Sequence, residues 1–410
     1  MKTARQQLDE LLRETPAAAR VRQQSAFDNA VSGRRRIVIF GAGHLGRSVL
    51  RRLSGTDLQP VAFADNNPRA WGTTVDGLPV FSPQDAAQQH SHDATFVVAV
   101  WHPSRSQLMA TLLDQLRTLG CIAVPFPLLF WRHPSAFLPY YLWDLPEHLL
   151  RHADDIKAAF ELLHDDFSRQ SFVTQVQLRL HADFCSIGPP FPGDQYFPGL
   201  FSPIADECFV DCGSFTGDTI ESFLSQPGLS EESGGFRRVI AFEADPENFD
   251  RLTQWIATLN PSVAARIGAR NAAVGAKRGK LRFQAGAGGG ARLAADGNVT
   301  VDCLPIDELI TEPAPTFIKM DIEGAELDAL EGARHSIQTH QPILAICAYH
   351  KQDDLWRIPL FIHSLVDDYR LFLRPHYSDG FDLVCYAIPA NRLSSTFPES
   401  PSPVVTKLPY

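Results

Sequence analysis

The sequence predicts an α/β fold made of two doubly wound, Rossmann-like domains in tandem. Three observations predict it. Short, almost continuously apolar strands alternate with helix-patterned stretches, as in parallel sheets covered on both faces. Two of the strand-to-helix turns are glycine-rich: Gly41-Ala42-Gly43-His44-Leu45-Gly46, and Asp211-Cys212-Gly213-Ser214-Phe215-Thr216-Gly217-Asp218-Thr219. The last regular segments read as an antiparallel hairpin. At 410 residues the chain is also longer than a single core usually grows.

Residues 1–33 read as a polar helical segment broken at Pro16. Residues 34–125 read as a small Rossmann-like domain. Its strands are Arg36-Ile37-Val38-Ile39-Phe40, Val61-Ala62-Phe63-Ala64-Asp65, Thr95 to Val100 and Cys121 to Val124, with a helix from Ser104 to Leu119 before the last. Gly41, Gly43 and Gly46 follow the first strand and open a helix, and Asp65 lies nineteen residues beyond Gly46. That is the dinucleotide fingerprint in its structural context. It supports an alternative function, an NAD(P)-dependent oxidoreductase or nucleotide-sugar-binding protein. Against redox chemistry, the unit has only about 90 residues, one mononucleotide-binding half, and it lacks a Tyr-x-x-x-Lys pair. His102 would stand near any ligand there.

Residues 126–205 change texture. Aromatic- and proline-rich ends (PFPLLFWRHPSAFLPYYLWDLP and GPPFPGDQYFPGLFSP) flank a helical stretch from His148 to Phe184. This is read as a connector and possible lid, with Asp194, Gln195 and Tyr196 shaping a pocket; a packed linker would look the same. Strand–helix alternation resumes over 206–392. Strands are expected at 208–211, 238–242, before Asn271, 316–320 and 343–349, with a hairpin at 280–303 whose tip is glycine-rich. Tyr369 to Leu373 and Phe381 to Ile388, joined by His-Tyr-Ser-Asp-Gly, read as the closing hairpin. Residues 393–410 form a tail.

The chemistry gathers at strand ends. Glycines after Asp211 let the backbone press on a ligand, and the following helix aims N–H groups at it. An ordinary tight turn would read alike in isolation. Glu243, at the next strand tip, can accept from both ribose hydroxyls. Ala244 and Ala272 are small enough to leave room for a flat ring. Asp321 and Glu323 follow the Phe317–Met320 strand, two residues apart, which suggests a shared proton or a bound cation; no metal site is assigned. Glu326 sits where a helix dipole favours an acid. His350 ends the next strand, placed to take a proton from a substrate hydroxyl.

The run FVDCGSFTGDT, FEADPENF, FIKMDIEGAELDALEGA and the Tyr-His after the fifth strand resembles the FkbM family of S-adenosylmethionine-dependent methyltransferases, over residues 205–390. The resemblance implies a class I methyltransferase sheet closed by the hairpin, and O-methylation of a hydroxyl on a sugar, glycan or secondary metabolite. It also implies S-adenosyl-L-methionine held by Asp211, Gly213, Thr216, Gly217 and Glu243, with Asp321 and Glu323 facing the reacting centre; Asp218, in the same turn, is a further candidate for the cofactor. Ser214 and Phe215 depart from the smaller or amide residues common in that turn. The stretch IVIFGAGHLGR, FADNNP, GLPVFSP and VVAV is similar to small domains that precede sugar-modifying transferases, which implies a nucleotide or nucleotide-sugar ligand at Gly41, Gly43, Gly46 and Asp65.

A net charge of −10, with no basic stripe, argues against a nucleic-acid partner. Seven scattered cysteines, with no Cys-x-x-Cys, fit a reducing, cytoplasmic setting. No signal-peptide pattern or membrane-length apolar run is present. The expected partner is a small molecule or glycan, with a possible homodimer; a scaffold with an inactive core is a third reading, disfavoured by the intact acidic positions.

Overall fold

The structure is a computed structural model that describes residues 2–101, 108–229, 235–286, 292–293, 297–309 and 313–394. His102, residues 287–291 of the glycine-rich tip and residues 395–410 lie outside the described residues. The protein is mixed α/β and divides into two compact units. One comprises Met1–Ala153, Phe172–Pro190 and Tyr377–Phe381; the other comprises Asp154–Ser171, Phe191–His376 and Asp382–Tyr410.

The first unit opens with helices over Ala4–Leu11 and Pro16–Ala30. Pro16 starts the second helix: it occupies the first turn, where its missing N–H costs nothing, and Thr15 caps it. Six strands follow: β1 (Arg36–Phe40), β2 (Gln59–Ala64), β3 (Thr74–Val75), β4 (Leu78–Phe81), β5 (Ala94–Val98) and β6 (Ile122–Pro125), in the order β3-β4-β2-β1-β5-β6. β1 pairs in parallel with both β2 and β5. The strand order therefore reverses beside β1, where the Gly41 turn emerges.

The aromatic segment after Pro125 is core rather than lid. It folds into helices over Phe126–Arg132, Pro134–Phe137 and Pro146–Leu150, with Phe126, Phe130, Trp131, Phe137 and Trp143 buried. Aromatic area of this kind dominates burial energetics. The expected helical stretch from His148 to Phe184 is built of several helices, including Ala153–Glu161 and Asp166–His181, and residues 126–205 are shared between the two units.

The second unit carries β7 (Cys208–Cys212), β8 (Arg238–Glu243), β9 (Ile267–Asn271), β10 (Ala273–Val274), β11 (Gly279–Gln284), β12 (Arg292–Leu293), β13 (Val299–Leu304), β14 (Phe317–Met320), β15 (Ile343–Cys347), β16 (Arg370–Pro375) and β17 (Leu383–Ile388). Seven form one sheet, β16-β17-β15-β14-β7-β8-β9. β7, β14 and β15 are buried along their whole length, as strands covered on both faces must be. β17 runs antiparallel to β15 and β16. The chain leaves β7 toward β8 and returns on its other side as β14, so the order reverses between β7 and β14. A crevice at the carboxyl ends of strands forms where order reverses. Four strands, β10-β13-β11-β12, make a smaller sheet.

The later aromatic run also enters the core: Phe197 lies 5.7 Å from Phe317, which stacks on Phe209 at 4.9 Å. Leu163 bridges to Leu371 on β16, and Arg374 donates to Ser168 Oγ at 2.7 Å. These contacts cover a sheet edge that would otherwise be open to another chain.

Candidate active site

The turn after β7 alternates its backbone: Gly213, Phe215 and Gly217 all have positive φ, at 81°, 47° and 102°. Its two glycines serve different ends. A Cβ on Gly213 would lie 1.9 Å from the Asp321 carbonyl oxygen, so the β7 turn and the β14 exit touch only because Gly213 has no side chain. A Cβ on Gly217 would strike the Trp255 ring at 2.4 Å; this residue sets helix packing. Thr216 is half-buried and Asp218 exposed. Ser214 is inward, its hydroxyl donating to the Asp211 carbonyl at 2.9 Å, so a serine there braces the turn.

Asp211 is not at the surface of the crevice. Its carboxylate is fully buried and pairs with Lys319 Nζ at 3.0 Å, and Nζ donates to the Gly213 carbonyl at 2.7 Å. Burial works against the Lys319 charge, but the Asp211 and Asp321 carboxylates outweigh it and raise its pKa. Asp211 thus holds the turn from beneath, through a lysine the sequence reading left out.

Glu243 accepts from Phe215 N–H and Asp245 N–H, each at 2.8 Å. Burial pushes its carboxyl up to about 7, although both backbone hydrogen bonds oppose this. Ala244 is half-buried beside it and Ala272 is buried, donating its N–H to the Glu243 carbonyl. The glycine turn, Glu243 and the two alanines therefore converge on one strand edge.

Asp321, Glu323 and His350 also converge. His350 Nε2 lies 3.3 Å from Asp321 Oδ1 and 3.7 Å from Glu323 Oε1. Among the described residues these three form a group whose donor atoms all lie within 4.8 Å. The left-handed backbone at Glu323 (φ 55°) and Gly324 (φ 98°) bends the chain between strand and helix. Glu326 is the first residue of that helix, and it does more than face the dipole. Its Oε1 is 2.8 Å from His350 Nδ1 and accepts from Ile322 N–H at 3.0 Å. A carboxylate only accepts, so Nδ1 carries a proton and Nε2 faces Asp321 and Glu323. Tyr196 donates to Asp321 Oδ2 at 2.8 Å. It is buried, a wall of the site rather than a mobile cover.

These charges correct one expectation. Burial disfavours a charged His350, but Glu326 and Glu323, with hydrogen bonds to Asp321 and Glu326, outweigh it and raise its pKa well above the usual value. The shift favours the protonated imidazole and works against the expected role of a resting base. Burial likewise opposes the Asp321 charge. Hydrogen bonds from His350 and Tyr196 and the nearby Lys319 charge prevail, holding that carboxyl well below the usual range.

In the first unit Gly41 and Gly46 are obligatory. A Cβ on Gly46 would lie 1.8 Å from the Gly41 carbonyl, and one on Gly41 would meet Ala99 O at 2.9 Å. Gly43 differs: φ is −78° and nothing stands within 4 Å of its Cβ position. Asp65 accepts from Ala42 N–H at 2.7 Å and Asn67 N–H at 2.8 Å, so both of its oxygens already hold the loop.

Residues 211–381 match the model of the Methyltransferase FkbM domain, so the chain carries a domain of that kind. The chain is similar to the crystal structure of methyltransferase FkbM from Methylobacillus flagellatus KT, at 26% identity and TM-score 0.71, over 90% of this chain and 93% of that one. It is 31% identical over 108 residues to the hexuronic acid methyltransferase AglP of Haloferax volcanii. That match covers 25% of this chain and 43% of AglP. The described residues include no helix long and apolar enough to cross a membrane.

Proposed function

We propose that the protein is an S-adenosylmethionine-dependent O-methyltransferase whose acceptor is a hydroxyl of a sugar, a glycan or a related polyol. The observation that carries this reading is the contact of Gly213 with Asp321. The glycine turn there meets the Asp321 backbone, next to the Asp321–Glu323–His350 cluster. The AglP name supports a uronic acid or similar sugar as the first acceptor class to try.

Gly213, Thr216, Gly217 and Asp218 would form the cofactor's turn, Glu243 would meet the ribose, and Ala244 and Ala272 would flank the base. Lys319 and Asp211 position the turn. S-adenosylmethionine supplies a methyl group on a sulfonium, already an excellent leaving group, so the protein's task is alignment. Asp321, the most open member of its cluster at 26% side-chain exposure, would accept a hydrogen bond from the acceptor hydroxyl, with Glu323 beside it. As the oxygen bonds to carbon its proton becomes strongly acidic, and even a carboxylate of lowered pKa can take it. His350, charged and held by Glu326, keeps both carboxylates in place.

Titration with S-adenosylmethionine and S-adenosylhomocysteine, followed by mass spectrometry of candidate sugars for the gain of one methylene, tests this. Tight binding of NAD with neither sulfur nucleotide would overturn it.

A nucleotide or nucleotide-sugar at the first unit is a second reading, and Gly43 favours it. That residue needs no left-handed backbone and blocks no neighbour, so its missing side chain leaves the backbone open to a ligand. Because this unit lacks a Tyr-x-x-x-Lys pair, binding without hydride transfer fits better than an oxidoreductase. A nucleotide-sugar panel titrated against Gly43→Val should show the loss of binding.

A further inference from the structure

We propose that Asp321, Glu323 and His350 bind a divalent cation of the Mn2+ or Mg2+ type, which holds the acceptor oxygen during methyl transfer; this deepens the methyltransferase reading and rests on it. The donor atoms are already close to a coordination face. Ligands at adjacent octahedral positions about 2.1 Å from a metal stand about 3 Å apart. Here Asp321 Oδ1 and Glu323 Oε1 are 3.3 and 3.7 Å from His350 Nε2, so a small contraction would bring all three onto one ion.

The surroundings are arranged as an outer coordination layer. Metal-bound imidazoles are usually oriented by a carboxylate on the other ring nitrogen. Glu326, fully withdrawn from solvent, does this at 2.8 Å from Nδ1. Tyr196 engages Asp321 Oδ2 and leaves Oδ1 toward the cluster. Three carboxylates, 321, 323 and 326, surround a single imidazole in a largely buried space. Their burial is graded. The His350 side chain is 1% exposed, Glu323 14% and Asp321 26%. The three protein ligands would thus close one side of an ion, and the Asp321 side would remain open for substrate.

Two carboxylate oxygens and one imidazole nitrogen suit Mn2+, which accepts both ligand types. The ion would replace the Nε2 proton, released to solvent. An acceptor hydroxyl bound to it would be acidified. As the oxygen–carbon bond forms and the carbon–sulfur bond breaks, the hydroxyl proton would leave by way of Asp321, at the open side, to solvent.

The test uses the full chain, stripped with a chelator and titrated with Mn2+ by electron paramagnetic resonance, with S-adenosylhomocysteine binding measured on the same sample. The expected result is a single tight Mn2+ displaced by excess Mg2+, with binding at least about tenfold weaker in Asp321→Asn and Glu323→Gln. Glu326→Gln should weaken it by about 10–100-fold through the ring it orients. Because a buried change can unfold the site, only variants that still bind S-adenosylhomocysteine count, and Glu323→Gln, partly exposed, is the one chosen to survive. Wild-type protein that takes up no Mn2+ at millimolar concentration, or equal affinity in Asp321→Asn and Glu323→Gln, overturns the proposal. S-adenosylhomocysteine bound without Mn2+ sinks the ion alone; Mn2+ bound without S-adenosylhomocysteine sinks the methyltransferase reading and leaves the ion site.

Discussion

Lys319 and Asp211 form an ion pair, 3.0 Å apart and shut off from solvent, directly beneath the glycine turn. Removing one partner from such a pair leaves a buried charge without compensation, at a cost of about 3–5 kcal/mol. Lys319→Met should destabilise the protein by that order in urea unfolding and loosen the turn, since the Nζ bond to the Gly213 carbonyl goes as well. Lys319→Met combined with Asp211→Asn should recover most of the loss. A single variant as stable as wild type would show that the pair holds nothing.

The two glycines of the turn should fail differently. Gly213→Ala forces the backbone away from the Asp321 carbonyl and should weaken S-adenosylhomocysteine binding about tenfold or more by calorimetry, since misplacement of about an ångström is enough to disrupt such a site. Gly217→Ala meets Trp255 instead and should lower stability by about 1–3 kcal/mol, with a smaller effect on binding. The reverse ranking would exchange their roles.

Glu243 gives a pH dependence. Its folded carboxyl lies at about 7 against 4.5 in the unfolded chain, so folding favours the neutral form. The associated stability is complete below about pH 4.5 and is lost as pH rises through about 7, an effect on the order of 3 kcal/mol. Glu243→Gln should flatten that slope in denaturation curves. Cofactor affinity should move the other way, rising toward pH 8 as the ionised carboxylate becomes a better acceptor for ribose hydroxyls. A flat affinity profile in the wild type would remove Glu243 from the cofactor site.

His350→Ala should reduce turnover far more than it reduces cofactor binding, because the side chain lies against Asp321 and Glu323 and not against the glycine turn. Glu326→Gln should follow it in direction with a smaller loss, acting through the imidazole. Unchanged turnover in His350→Ala would exclude it from the mechanism.

Much of this protein was legible in its sequence. Strand periodicity and glycine turns located β1, β7, β8, β14 and β15, because local patterning is set by residues close along the chain. The resemblance in FVDCGSFTGDT and KMDIEGAE pointed to the correct domain and to Asp321, Glu323 and His350 as neighbours at strand ends. Tertiary structure decided what each residue does. The partner of Asp211 is 108 positions away on β14, and the side chain that orients His350 lies two helices and a strand earlier, so no local pattern announces either. Whether an aromatic run forms a lid or a core depends on which surface it meets, and Phe126–Trp143 and Phe197 met buried ones. Protonation, too, belongs to three dimensions: Glu326 and Glu323 raise the His350 pKa, a sum of charges that exists only after the sheet has assembled.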